Sequence, residues 1–187
     1  VSTSSSPSSS ASSSSVSASA SASAGAQLTT ERLVLRPWTA AEAAAVLNDT
    51  RAADWAADFP AEGDRVIAGL FAQHPAWLGE HGHRLVVERD SGLVVGSIGL
   101  FWPPTEGTVE IGYGIVASRR GRGYAAEATR ALAGFALTAP GVRTVTAGVE
   151  LSNPASIRVL EKAGFHRRST EDDTARFQLT GPVRHQP

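Results

Sequence analysis

The tightest constraint on this chain is a stretch that no single regular element can hold. From Glu110 to Ala128 it reads EIGYGIVASRRGRGYAAEA. Val109, Ile111, Tyr113, Ile115 and Val116 form an apolar, β-favouring run, and Ser118 to Gly123 follow as a short polar segment with two glycines and three arginines. Tyr124, Ala128, Ala131, Leu132 and Phe135 then recur at helical spacing, leaving Glu127 and Arg130 off the apolar face. The junction is therefore strand, turn, helix. Such a junction suits anions, because the unpaired N–H groups of a helix N-terminus carry partial positive charge. Gly121 and Gly123 let an anion approach the backbone without meeting a Cβ.

A dinucleotide fold is one reading of this pattern. Gly121, Gly123 and Ala126 satisfy G-x-G-x-x-G/A, and Glu150 ends the next strand-like run. The architecture opposes it, since only Leu151 to Pro187 remain and they hold one helix pattern. A P-loop is excluded because no Gly-Lys-Ser/Thr follows.

A second reading rests on two motifs together. Ser118-Arg119-Arg120-Gly121-Arg122-Gly123 resembles the Q/R-x-x-G-x-G/A pyrophosphate loop of the GNAT acetyltransferase superfamily, with Ser118 in place of the usual Gln or Arg. Downstream, Asn153-Pro-Ala-Ser156-Ile-Arg-Val-Leu160-Glu-Lys162-Ala-Gly164-Phe165 resembles the N-x-x-S-x-x-x-x-E-K-x-G-F signature of the same superfamily. The opening Thr30-Glu31-Arg32-Leu33-Val34-Leu35-Arg36 is similar to the first strand of the RimJ/RimL-like branch, which acetylates ribosomal-protein N-termini. The resemblance spans roughly Leu28 to Thr180.

Three regions follow from composition. Residues 1–26 are almost wholly Ser and Ala, with no charged or aromatic side chain, and are expected to be a disordered tail. Residues 27–180 form the folded domain, and 181–187 are expected to fray. The tail lacks the basic start and continuous apolar core of a signal peptide, and no stretch is apolar enough to span a membrane, so a cytoplasmic location is expected. A net charge of −1 with no basic block argues against a nucleic-acid partner. Without cysteine, thiolate metal sites and acyl-cysteine chemistry are excluded, and acyl transfer must be direct. Lys162 is the single lysine among many arginines and alanines, as in a GC-rich, bacterial coding sequence.

Along the chain, 27–36 reads as a first strand ended by Pro37. Thr39 is an N-cap for a helix through Leu47, and Glu62 to Leu78 is a second helix ending near Gln73. His74, His81 and His83 fall in a flexible connector. Strands follow over 84–88 and 93–100, joined at Asp90-Ser91-Gly92, and over 108–116. After the helix from Tyr124 to Leu137 come a strand over 144–149, a helix over 154–163 capped by Asn153 and Gly164, and a closing hairpin over Glu171-Asp172-Asp173.

The resemblance implies an α/β (α+β) fold: a mixed, mostly antiparallel twisted sheet of six to seven strands with about four helices, its fourth strand bulged at Gly112-Tyr113-Gly114. It implies acetyl-CoA as cosubstrate, no metal, and transfer to a primary amine, a protein or peptide N-terminal α-amine. Acetylation of a small-molecule amine and a CoA-binding module without turnover are the alternatives. Backbone at Ile115, Val116 and Ala117 would meet the pantetheine arm, and Arg119, Arg120, Gly121, Arg122, Gly123, Tyr124 and Ala125 the phosphates, with Asn153 and Ser156 contributing. Glu110 is the candidate base. Ser156 is the candidate hydrogen-bond donor to the sulfur, since Leu160 stands where many members carry a tyrosine. Asp54, Trp55, Asp58 and Glu110 would face the acceptor, although Trp55 equally reads as a core anchor. A homodimer is among the expected assemblies.

Overall fold

The computed structural model describes residues 27–181. The Ser/Ala-rich segment 1–26 and residues 182–187 lie outside the described residues, and with them the expectations of a tail and a frayed end. Gly181 is tied in, its N–H donating to the Arg143 carbonyl at 3.1 Å.

Eight strands form one sheet in the order β1-β2-β3-β4-β5-β6-β8-β7. They are β1 (Leu28–Thr29), β2 (Leu33–Pro37), β3 (His83–Glu88), β4 (Val94–Leu100), β5 (Thr108–Ile115), β6 (Thr144–Glu150), β7 (His166–Glu171) and β8 (Thr174–Thr180). Four α-helices, α1 (Ala40–Leu47), α2 (Glu62–Leu70), α3 (Tyr124–Ala136) and α4 (Pro154–Lys162), complete the mixed α/β fold. The opening strand expected as one piece is two, because Thr30 folds the chain back. Its hydroxyl accepts from the Leu33 N–H at 3.0 Å, and Leu28 then pairs antiparallel with Leu35.

Local chemistry sets the helix ends. Thr39 and Glu42 form a reciprocal capping box at α1, and Asn153 accepts from the Ser156 N–H at 3.1 Å to start α4 behind Pro154. Alternating residues of the strands bury Leu33, Leu35, Leu85, Ile98, Leu100, Val145 and Phe177 against the helices.

Every neighbouring pair of strands is antiparallel except β5 with β6, which run parallel over Thr108–Glu110 against Thr144–Thr146. The expected bulge in the Gly112-Tyr113-Gly114 segment takes another form. Its register against β4 runs unbroken from Ile115 opposite Gly96 to Ile111 opposite Leu100, so no residue is inserted. The irregularity lies on the other side, where β5 parts from β6 beyond Glu110.

The histidine segment is not a loose connector. His83 is buried and packs between Phe71, Trp77 and Phe101 at ring distances of 5.9, 5.1 and 5.3 Å. His74 stacks on Trp77, and His81 stacks on Trp102 and Phe135. Apolar ring faces, invisible in a count of polar residues, order this segment. At the far edge of the sheet β7 is exposed along its whole length, and its pairing with β8 is interrupted between Arg167 and Ser169. Among the described residues no helix is long and apolar enough to cross a membrane.

Candidate active site

The carboxyl end of β5, the turn after it, the first turn of α3 and one face of α4 enclose a cleft of about 420 Å³. Its floor is made by backbone. Gly121 and Gly123 stand at φ of 74° and 80°, a left-handed conformation that residues with a Cβ rarely adopt. Gly123 is the N-cap of α3 and offers no side-chain acceptor, so the first N–H groups of that helix have no side chain capping them. A Cβ built on Gly121 would meet nothing within 4 Å, so the turn is open on that side.

Ile115, Arg119, Arg120, Gly121, Gly123, Tyr124, Ala125, Asn153 and Ser156, all singled out from sequence, line this one cleft. Val116, Ala117 and Arg122 do not. Arg122 turns instead to Glu88, a buried carboxylate on β3 that Arg119 also reaches from the cleft wall. Arg119 Nε and Arg122 Nη1 each lie 3.2 Å from it, the Tyr124 hydroxyl donates to it at 2.8 Å, and the Ser91 hydroxyl donates at 2.6 Å. The Ser91 hydrogen bond foremost, then Tyr124 and Arg119, hold the Glu88 carboxyl below its ordinary range against the opposing effect of burial. Arg120 donates from Nε to the Ile115 carbonyl at 3.0 Å.

Glu110 is exposed on β5 and is not among the cleft-lining residues. It shares a strand face with Gly112 and Gly114, opposite the face of Ile111 and Tyr113. The expected acceptor wall is also rearranged. Trp55 is a core residue, 4% exposed, with its ring against Phe59 at 5.1 Å. The Asp58 carboxylate accepts the Ser118 N–H at 2.8 Å and the Ser118 hydroxyl at 2.7 Å, and these bonds lower its pKa. Ser118 thus ties the turn to the α1–α2 connection. Asp54 lies 3.7 Å from Arg36.

Seven further residues of the cleft were not assigned to it from sequence. The Tyr113 hydroxyl reaches in from β5 and lies 3.2 Å from both the Ser156 carbonyl oxygen and Oγ. Burial raises the Tyr113 pKa, and the Ser156 hydrogen bond opposes this only in part. Ala155, Arg158, Val159 and Lys162 line the cleft from α4. Their i, i+3, i+4, i+7 spacing is the signal that could have found them. Gly114 and Ala126 complete the lining. Among the described residues no group of three or more His, Asp or Glu side chains is placed to hold a metal.

A family model described as acetyltransferase (GNAT) domain matches residues 32–166. The uncharacterized N-acetyltransferase YjdG of Bacillus subtilis (strain 168) is 38% identical over 82 residues, 43% of this chain and 49% of that protein, so the chain matches about half of that relative's length. A GNAT-family acetyltransferase structure from Bordetella pertussis is 28% identical with a TM-score of 0.58, covering 82% of this chain and 97% of that one. Mycobacterium smegmatis RimJ in complex with CoA-disulfide superposes with a TM-score of 0.62 at 19% identity, covering 83% of this chain and 88% of that one.

Proposed function

The chain belongs to the acetyltransferase (GNAT) domain family, and from that premise we propose that it moves an acetyl group from acetyl-CoA directly to a primary amine, the α-amine of a protein or peptide N-terminus. The observation that carries this reading is the cleft floor, where two left-handed glycines precede an uncapped helix N-terminus. Backbone donors arranged this way complement a diphosphate. Arg119, Arg120, Arg158 and Lys162 line the same cleft and supply positive charge. Acetyl-CoA, when bound, would supply the acetyl group as an activated thioester and leave as the CoA thiol.

The residues of the chain divide the remaining work. Beyond Glu110 the β5–β6 ladder stops, and the edge of β5 that faced β6 is left to pair with the pantetheine arm, apart from the Ile115 carbonyl, which Arg120 holds. Ser156, next to the Tyr113 hydroxyl, offers a hydrogen bond to the departing sulfur. Glu110 takes the amine proton, directly or through water. An α-amine with pKa near 7.8 costs about 1 kcal/mol to deprotonate at pH 7, whereas a lysine near 10.4 costs about 4.6 kcal/mol. A single carboxylate in an exposed position suits the former.

The test is acetyl-CoA turnover with short peptides bearing free N-termini, with the acetylated atom located by mass spectrometry. Acetylation at the α-amine is expected, and Glu110→Gln should lower turnover most at low pH, where free amine is scarce. Acetylation confined to internal lysines, or an unchanged pH profile in Glu110→Gln, would refute the acceptor or the base respectively. A second reading, a CoA-binding module without turnover, is favoured by Glu110 standing outside the cleft lining and by the fully buried Leu160. CoA binding with no thiol release across a panel of amines and peptides would establish it.

A further inference from the structure

The β1–β2 turn reaches the Gly-rich turn through one arginine. Arg32 places Nε and Nη2 at 2.7 and 2.6 Å from Glu127 Oε2 on α3, and its own N–H donates to Glu127 Oε1 at 2.9 Å. Thr30 adds its hydroxyl to that same Oε1 at 2.7 Å. Burial would raise the Glu127 carboxyl, but these donors from Thr30 and Arg32 hold it below its ordinary range. The guanidinium thus faces a fixed carboxylate with one nitrogen to spare. That nitrogen, Nη1, donates to the Arg122 carbonyl at 2.7 Å, while the guanidinium carbon sits 4.9 Å over the Tyr124 ring.

We propose that Arg32 is a positioning residue that sets the polarity of the phosphate cradle, by holding the Arg122 carbonyl outward so that the cradle presents N–H groups and no carbonyl to the ligand. The peptide bond is the lever. In a trans peptide C=O and N–H point in opposite directions, so fixing the Arg122 oxygen on Arg32 aims the N–H of Gly123 the other way, toward the cleft that Gly123 lines. A carbonyl turned into the cleft would repel a diphosphate, and glycine, which populates both signs of φ, would otherwise let this peptide flip. Glu127 makes the arrangement rigid by accepting the other two guanidinium nitrogens at one oxygen, a planar two-nitrogen contact that lysine cannot reproduce. Arg32 itself lies outside the cleft lining, so it acts through the backbone rather than on the ligand.

This rests on reading the cleft as the acetyl-CoA site, and the experiment separates the two. The full chain is titrated with CoA and with pantetheine, which lacks every phosphate, and binding is followed by amide chemical shifts. For Arg32→Gln the Kd for CoA should rise about tenfold, with the pantetheine Kd within twofold of wild type and the Gly123 amide no longer shifting on CoA addition. Arg32→Lys should give the same split and serves if the glutamine variant does not fold. A merely structural role would weaken both ligands together, and that result, or a CoA Kd within twofold of wild type, overturns the proposal. A wild-type protein that does not bind CoA overturns the functional reading instead.

Discussion

At the scale of single residues, the Tyr113 hydroxyl is the group whose removal tells most. It lies within hydrogen-bond reach of Ser156 from a different element, and burial keeps it protonated well into alkaline pH. Tyr113→Phe removes one uncharged hydrogen bond, about 0.5–1.5 kcal/mol, so kcat should fall about two- to tenfold. KM for acetyl-CoA should stay within twofold, and the alkaline limb of the rate profile should not move. An unchanged kcat would show that the hydroxyl takes no part. This residue was not legible in the sequence as a site residue, although its neighbours were. Gly121, Gly123, Thr39 and Asn153 could be read directly because each does its work within three or four positions, by backbone sign or by capping. Asp58, Arg119 and Arg122 could not, because what they do is decided by Ser118 and Glu88, at least 30 positions away.

At the scale of elements, the junction of β3 with the segment after α2 carries a pH response. His83 sits in an aromatic box, with the space over Gly99 taken up by its ring. Its Nε2 has no hydrogen-bond partner among the described residues, and burial lowers its pKa from 6.5 to about 4. The unfolded chain therefore takes up a proton at higher pH than the folded one. Stability is full above pH 6.5 and is lost as pH falls toward 4, by roughly 2 to 3 kcal/mol at pH 4.5. His83→Phe should remove that loss, narrowing the difference in Tm between pH 7.5 and 4.5 by about 5–10 °C. Melting curves of the two proteins with equal pH dependence would place the acid response elsewhere. The helices and most strands of this fold follow from apolar spacing in the sequence. The order of the His74–His83 segment does not, since it depends on Phe71 just past α2, His83 on β3 and the rings of the strand-to-strand loop meeting in space.

At the scale of the whole molecule, the sheet is two blocks, β1 to β5 and β6 to β8, joined edge to edge over only three residue pairs. Helix α3 packs on the first block and α4 on the second, the two helices touch, and the cleft opens between them and the free length of β5. A ligand lying along that length would complete the pairing that β6 abandons. Hydrogen exchange should accordingly slow on CoA binding in residues 112–116 and in the first turn of α3. No change in residues 112–116 would mean the ligand does not lie along the strand. That β5 and β6 would run parallel could be read from the β-α-β order, but how soon they separate could not, because nothing in the local pattern fixes the length of a shared ladder. The outer flanks of the sheet are governed by a different need. One flank is a two-residue strand, and the other, β7, carries His166, Arg167, Arg168 and Glu171 with its ladder interrupted midway. Neither offers a foreign strand a straight run of unpaired amides to copy. Among the described residues, continuous sheets shared between molecules, and the fibrils that grow from them, are disfavoured at both edges.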